Sequence, residues 1–183
     1  MSPPRAKILD TKVLYTGPVF GVRRDRLIEP GGVRVTRDVV THTGSVVLLP
    51  LLPGNRILLV RQYRHAVGQF LWELVAGRIE RGEAPLAAAR RELMEETGYT
   101  ARRFHKLLDV FPTPGFVSER MIIYSAEGLR AGRATPEEDE RIEARAFTWR
   151  QVEAMLRSGK LRDAKSIAAL LYYRCFRRRK PSR

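Results

Sequence analysis

The sequence predicts a mixed α/β fold of the α+β type, opened by a small antiparallel β-sheet. Three observations carry that prediction. Short apolar runs bounded by Gly, Pro and Asn punctuate residues 1–80, as strands and their turns do. From Ala84 the apolar residues switch to helical spacing. Beyond that helix, strand-like and helix-like segments interleave without an internal repeat, the pattern of a mixed domain.

The N-terminal segment, residues 1–43, reads as short strands and is expected to dimerise. Lys12-Val13-Leu14-Tyr15 runs into a turn at Gly17-Pro18, and Val19 to Arg23 follows. Gly31-Gly32 reads as a hairpin turn between Asp25–Ile28 and Val33–Val40. Alternation of Val33, Val35 and Val39 with charged neighbours predicts a half-exposed sheet, too slight to be stable alone. A second domain is expected over residues 44–176. Its continuous apolar run Ser45–Leu52 predicts a buried strand, and Pro53-Gly54-Asn55 turns the chain into a second strand, Arg56–Arg61. Leu71–Val75 is a further candidate. The clearest helix covers Ala84 to Thr97, with Pro85 near its first position and Gly98 just past its end. Strands are expected near Leu107–Val110, Met121–Tyr124 and Ala144–Trp149, and helices over Gln151–Arg157 and Lys165–Phe176.

Charge is the unusual bulk feature. The 183 residues hold 34 Lys and Arg against 20 Asp and Glu, a formal net charge of +14, and 28 of the cations are arginine. Thirteen basic and three acidic residues lie in 141–183, so ten of the fourteen excess charges are C-terminal. Residues 177–183 read as a disordered basic tail, with nucleic acid the alternative use for it. No run approaches the roughly 18 apolar residues of a membrane span, so no membrane partner is expected. One cysteine, Cys175, excludes an internal disulfide and suits the cytoplasm.

The chemistry concentrates in the helix. Glu92, Glu95 and Glu96 stand three and four residues apart, on one flank. Like charges at that spacing cost about 0.2–0.5 kcal/mol per pair unless something compensates them. Taken alone, a Glu-x-x-Glu-Glu segment is most often a solvated face, here with Arg90, Arg91 and Arg102 to pair with. Oxygen ligands without companion His or Cys favour Mg2+ or Mn2+ over zinc. His42, His65 and His105 have no ligand-like spacing and read as structural or surface groups.

Context decides between these readings. Gly77, Glu83, Arg91-Glu92-Leu93, Glu95-Glu96 and Gly98-Tyr99 follow one another at the spacing Gly-x5-Glu-x7-Arg-Glu-U-x-Glu-Glu-x-Gly-U, with U bulky. This resembles the Nudix signature at every fixed position; only the aromatic Tyr99 strays at the last U. The resemblance implies a mixed β-sheet sandwiched between helices. It also implies a magnesium-dependent hydrolase, with Mn2+ able to substitute, that cleaves phosphoanhydrides. Metal ligation is then implied for Glu92, Glu96 and the backbone carbonyl of Ala76, with Glu95 and Arg91 as catalytic neighbours.

Outside the box the chain resembles ADP-ribose pyrophosphatases over roughly Tyr15 to Tyr173. Arg61-Gln62-Tyr63-Arg64 and Glu73-Leu74-Val75-Ala76-Gly77 match that subfamily's strand end and box entry. Thr113-Pro114-Gly115-Phe116 with Ser118-Glu119-Arg120 matches its ribose loop, and Glu137–Glu143 its acidic loop. The resemblance implies substrate contacts from Arg64, Glu73, Gly115 and Glu119, Glu138 as general base and Glu140 as an added metal ligand. It further implies a homodimer with composite sites, in which Val19, Phe20 and Arg37 serve the partner's site. The expected reaction takes the small-molecule nucleotide ADP-ribose to AMP and ribose 5-phosphate. Two alternatives stay open: another nucleotide sugar or dinucleoside polyphosphate as substrate, and a non-catalytic nucleic-acid-binding protein using the basic C-terminal region.

Overall fold

The computed structural model describes residues 5–133 and 141–177. The chain forms two compact units. One comprises Met1–Gly44 with Phe111–Arg120, and the other comprises Ser45–Val110 with Met121–Arg183.

The first unit is a three-stranded antiparallel sheet in the order β1 (Lys7–Thr16), β2 (Gly21–Ile28), β3 (Arg34–Thr41). All ten residues of β1 are exposed, including the apolar Ile8, Leu9, Val13 and Leu14. Buried residues are few. Leu27 is apolar, and Asp25 is satisfied by the Thr11 hydroxyl at 2.8 Å and by Arg23 Nε at 2.9 Å. The segment 111–120 joins this unit through β3: Val40 N–H donates to Phe116 O at 2.8 Å and Ser118 N–H to Val40 O at 2.9 Å. A boundary drawn at residue 43 therefore leaves out a stretch that comes back from far along the sequence.

The second unit is built on a seven-stranded mixed sheet. Its central path is β10 (Glu143–Thr148), β5 (Arg56–Arg64), β4 (Ser45–Leu52), β9 (Met121–Ala131), β8 (Tyr99–Val110). Short strands β6 (Gln69–Glu73) and β7 (Val75–Arg78) pair with β5 and β4. Only β4 and β9 run parallel. The run Ser45–Pro50 is buried throughout, because β4 is central and covered on both faces. Val46 and Leu48 pack with Ala88, Ala89 and Leu93 of α1 (Pro85–Thr97). Val47 and Leu49 pack on the opposite face with Val152 and Met155 of α2 (Trp149–Arg157) and Ala169 and Leu170 of α3 (Ala164–Tyr172). The sheet is thus sandwiched between helices, as the resemblance implies.

Where the elements differ from the sequence reading, the cause is visible. Strand β8 starts directly after Gly98 and is three times the length expected. As an edge strand it tolerates Arg102, Arg103, His105 and Lys106, which hide its periodicity. The expected strand over Leu71–Val75 is two strands, broken at Leu74. The α2 helix begins at Trp149, held by a capping box between Thr148 and Gln151. The last helix ends at Tyr172 and continues as a wider π turn, Tyr173–Arg177, with Tyr173 stacked on Trp149 at 5.9 Å. Among the described residues no helix is long and apolar enough to cross a membrane.

Candidate active site

The acid helix α1 places Glu92 against the Gly77 backbone of β7, with Glu95 and Glu96 following on the same flank. Glu92 and Glu96 are buried and Glu95 half-buried. The helix is stopped by Gly98, which adopts the left-handed conformation (φ 71°) and donates its N–H to Met94 O at 2.7 Å. At the other side of the cluster, Gly77 leaves the space that the Glu92 carboxylate occupies. A Cβ at this position would overlap the Glu92 carboxylate, so the acid lies directly against the Ala76–Gly77 backbone.

One arginine organises these acids. Arg91 Nε and Nη2 fork onto the two oxygens of Glu83, each at 3.0 Å. Its Nη1 donates to Glu92 at 2.6 Å and Glu95 at 3.0 Å, and Nη2 also reaches the Arg78 carbonyl at 2.9 Å. Glu83 is fixed in turn by accepting from the Glu80 N–H at 3.0 Å. Hydrogen bonding from Arg91 holds the Glu83 carboxyl below the usual range, and the Arg91 guanidinium is driven up by Glu83 and its other acid partners. Arg90, the adjacent cation, turns away and lies over the Phe104 ring at 4.8 Å.

A second charged cluster sits at the ends of β5 and β6. Glu73 is 1% exposed and receives Arg64 through two parallel hydrogen bonds, both 2.8 Å. The Lys165 ammonium of α3 joins the same carboxylate and also contacts Asp163 at 3.0 Å. Burial pushes the Glu73 carboxyl up, but Arg64 and Lys165 outweigh it and hold it below the usual range. Arg64 is held up chiefly by the Glu73 hydrogen bonds, and the Glu96 charge also reaches it. Asp163 caps α3 by accepting from Ser166 N–H at 3.0 Å, while Ser166 Oγ accepts from Leu74 N–H at 2.7 Å. That bond takes up the amide freed where β6 breaks from β7.

The fold therefore brings Arg64, Glu73, Ala76, Arg91, Glu92, Glu95 and Glu96 into one unit. Val19 and Phe20 occupy the exposed turn before β2, and Arg37 lies on β3 paired with Glu29 at 2.8 Å, all in the N-terminal unit. Gly115 and Glu119 belong to that unit too. There Glu119 lies 3.8 Å from His42, whose Nδ1 accepts the Gly44 N–H at 3.0 Å and whose own N–H donates to Ser118 Oγ. Glu138 and Glu140 lie outside the described residues. Lys165, Asp163 and Ser166 were missed in the sequence, where only the Asp-x-x-Ser spacing of a helix cap signals them.

Among the described residues no three His, Cys, Asp or Glu side chains converge as a finished metal site, since Arg91 draws on Glu92 and Glu95. The donor chemistry nonetheless fits a hard divalent cation. The donors are all oxygen, two of the acids are buried, and Glu92 is pressed against the peptide that carries the Ala76 carbonyl. A buried carboxylate surplus on one helix, with an arginine fork in the same unit, is chemistry suited to holding a hard cation and a phosphate group.

Comparison with known proteins gives the family. The chain belongs to the Nudix family, whose NUDIX domain model matches residues 41–170. It is 42% identical over 134 residues to an ADP-ribose pyrophosphatase of Mycobacterium tuberculosis, matching 72% of this chain and 65% of that protein. An ADP-ribose pyrophosphatase of Bacillus subtilis is 32% identical over 168 residues, and a methanol dehydrogenase activator of Bacillus methanolicus is 31% identical over 168 residues. Both alignments cover 91% of each chain. A solved structure described as an ADP compounds hydrolase shares the fold, with a TM-score of 0.80, 23% identity and 95% coverage of both chains.

Proposed function

We propose that the protein hydrolyses the diphosphate of ADP-ribose to AMP and ribose 5-phosphate, with Mg2+ as its cation and Mn2+ able to substitute. The observation that carries this reading is the Arg64 fork, held by buried Glu73 within electrostatic reach of the acid helix. A planar guanidinium fixed in this way suits the oxygens of a diphosphate. Likeness to the Mycobacterium and Bacillus pyrophosphatases supports the choice of nucleotide.

Glu92, Glu96, the Ala76 carbonyl and Glu140 are the groups that would hold cations. When bound, these supply charge neutralisation at the diphosphate and acidify water. Arg91 keeps Glu92 and Glu95 oriented and tempers their mutual repulsion. Arg64 binds and orients the diphosphate. Glu138 takes a proton from the attacking water as the new P–O bond forms, and the bridging P–O bond breaks to release the two monophosphates. Gly115 and Glu119 are assigned to the terminal ribose.

The protein acts as a cytoplasmic homodimer, in which Val19, Phe20 and Arg37 of each chain serve the site of the second copy. The exposed apolar positions of β1 support pairing of this kind, and the exposed Cys175 thiol suits a reducing compartment. The test is a substrate panel of ADP-ribose, GDP-mannose, dinucleoside polyphosphates and triphosphorylated RNA with Mg2+ or Mn2+. ADP-ribose is expected to give the highest kcat/KM. A place among the poor substrates overturns the substrate while leaving family membership intact.

A further inference from the structure

Lys165 is an anomaly of placement. It lies in the first turn of α3, where a cation opposes the helix dipole, and its side chain is only 12% exposed. Both circumstances cost stability, so its contacts must account for it. Those contacts are Glu73, which already carries the Arg64 fork, and the helix cap Asp163.

We propose that Lys165 is a positioning residue for Arg64, acting through Glu73 to set the plane in which the guanidinium meets the diphosphate. An arginine bound by two parallel hydrogen bonds lies in the plane of its carboxylate, so whatever turns that carboxylate turns the arginine. Glu73 Oε1 is taken by Arg64 Nε, whereas Oε2 is shared between Arg64 Nη2 and Lys165 Nζ. Lys165 is itself pinned by Asp163, whose other oxygen caps α3. The helix thereby fixes Oε2, Oε2 fixes the fork, and Arg64 Nη1 is left as the donor directed away from Glu73. The four charges balance, two against two, so Arg64 is oriented without being drawn into the core.

The inference rests on Arg64 contacting the diphosphate, as in the proposed function. Lys165→Met keeps the apolar stem and removes the charge. It is expected to raise KM for ADP-ribose about 10-fold with kcat changed less than about 3-fold, and Lys165→Arg is expected to restore most of the loss. In an Arg64→Ala background Lys165→Met should add nothing to KM, since its effect passes through the arginine. Asp163→Asn keeps a good cap but loosens Lys165, and should raise KM in the same direction by about 3-fold. An unchanged KM in both single variants, or effects that multiply in the double variant, overturns the proposal. A readout independent of turnover is the Arg64 Nε–H resonance, identified by its loss in Arg64→Lys. It should move in Lys165→Met and return in Lys165→Arg; a resonance that stays in place in Lys165→Met also overturns the proposal. If the wild type cleaves no diphosphate in the panel, the substrate reading fails, and the resonance still decides the role of Lys165.

Discussion

Two charged clusters in the same unit are built to opposite rules. In the clamp around Arg91, three carboxylates share one guanidinium, and buried Glu96 adds a fourth negative charge nearby. In the cluster around Glu73, two cations face two carboxylates. The first is electrostatically incomplete and the second is closed. An incomplete cluster stays folded because the arginine offsets part of the repulsion, and the remaining negative charge is what a divalent cation can satisfy. A closed cluster has no surplus charge to recruit a cation, so its value lies in holding its members, Arg64 among them, in place. Surplus charge therefore separates a candidate cation site from a cluster that holds a side chain in place more sharply than burial does, since both clusters contain buried acids.

The comparison also shows what the clamp lacks. Glu92 and Glu95 are already engaged by Arg91, and in the proposed function Glu92 and Glu96 would hold cations. The proposed mechanism accordingly takes its base from outside the helix, at Glu138. Glu138→Gln should carry the largest effect, a fall in kcat of about 10²–10⁴-fold with little change in KM. Steady-state kinetics across the pH range are the check. Near-normal kcat throughout would return the base to the clamp and undo the contrast between the two clusters.

Next in size is Gly77→Ala. The added methyl would collide with the Glu92 carboxylate and force it to shift away from the Gly77 backbone. A shift of about 1 Å at a reacting centre costs roughly 10²-fold in rate. Activity within a few-fold of wild type, at saturating Mg2+, would mean that Glu92 need not rest on this backbone.

The two clusters were not equally legible in the sequence. The clamp is local: Gly77 to Gly98 is a strand end, a turn and one helix, so spacing alone places its acids on one flank and Glu83 within reach of Arg91. The buried strand β4 was legible for a similar reason, as an unbroken apolar run. Lys165 was not, because it meets Glu73 across 92 residues and nothing in Asp163-Ala-Lys-Ser indicates which carboxylate it will find. The return of 111–120 to β3 was equally hidden, being fixed by backbone hydrogen bonds on either side of Val40 that carry no side-chain signature. Local chemistry can be read from spacing, whereas closure of a charge cluster depends on topology.

The smallest expected effect tests whether Arg91 stabilises the fold as well as the site. Glu83 has its folded-state carboxyl held down, chiefly by hydrogen bonds from Arg91. A depressed acid contributes stability that is fully present above its unfolded pKa, about 4.3, and is lost as pH falls through the lower folded value. Glu73 titrates with the same sign, so the wild type as a whole should weaken on the acid side of pH 4. Glu83→Gln isolates the clamp's share. Gln cannot ionise, so it imitates protonated Glu83 at every pH. The variant should be less stable than wild type at pH 7 by less than about 1 kcal/mol, the scale of a partly exposed ion pair. That gap should begin to close as pH falls below the unfolded value and vanish once pH has passed below the depressed folded value, where the wild-type carboxyl is also neutral. Urea denaturation at a series of pH values measures the gap directly. A gap that persists undiminished at pH 3 would assign the effect to lost packing or to the Glu80 backbone contact, and would leave Arg91 as an organiser of the site alone.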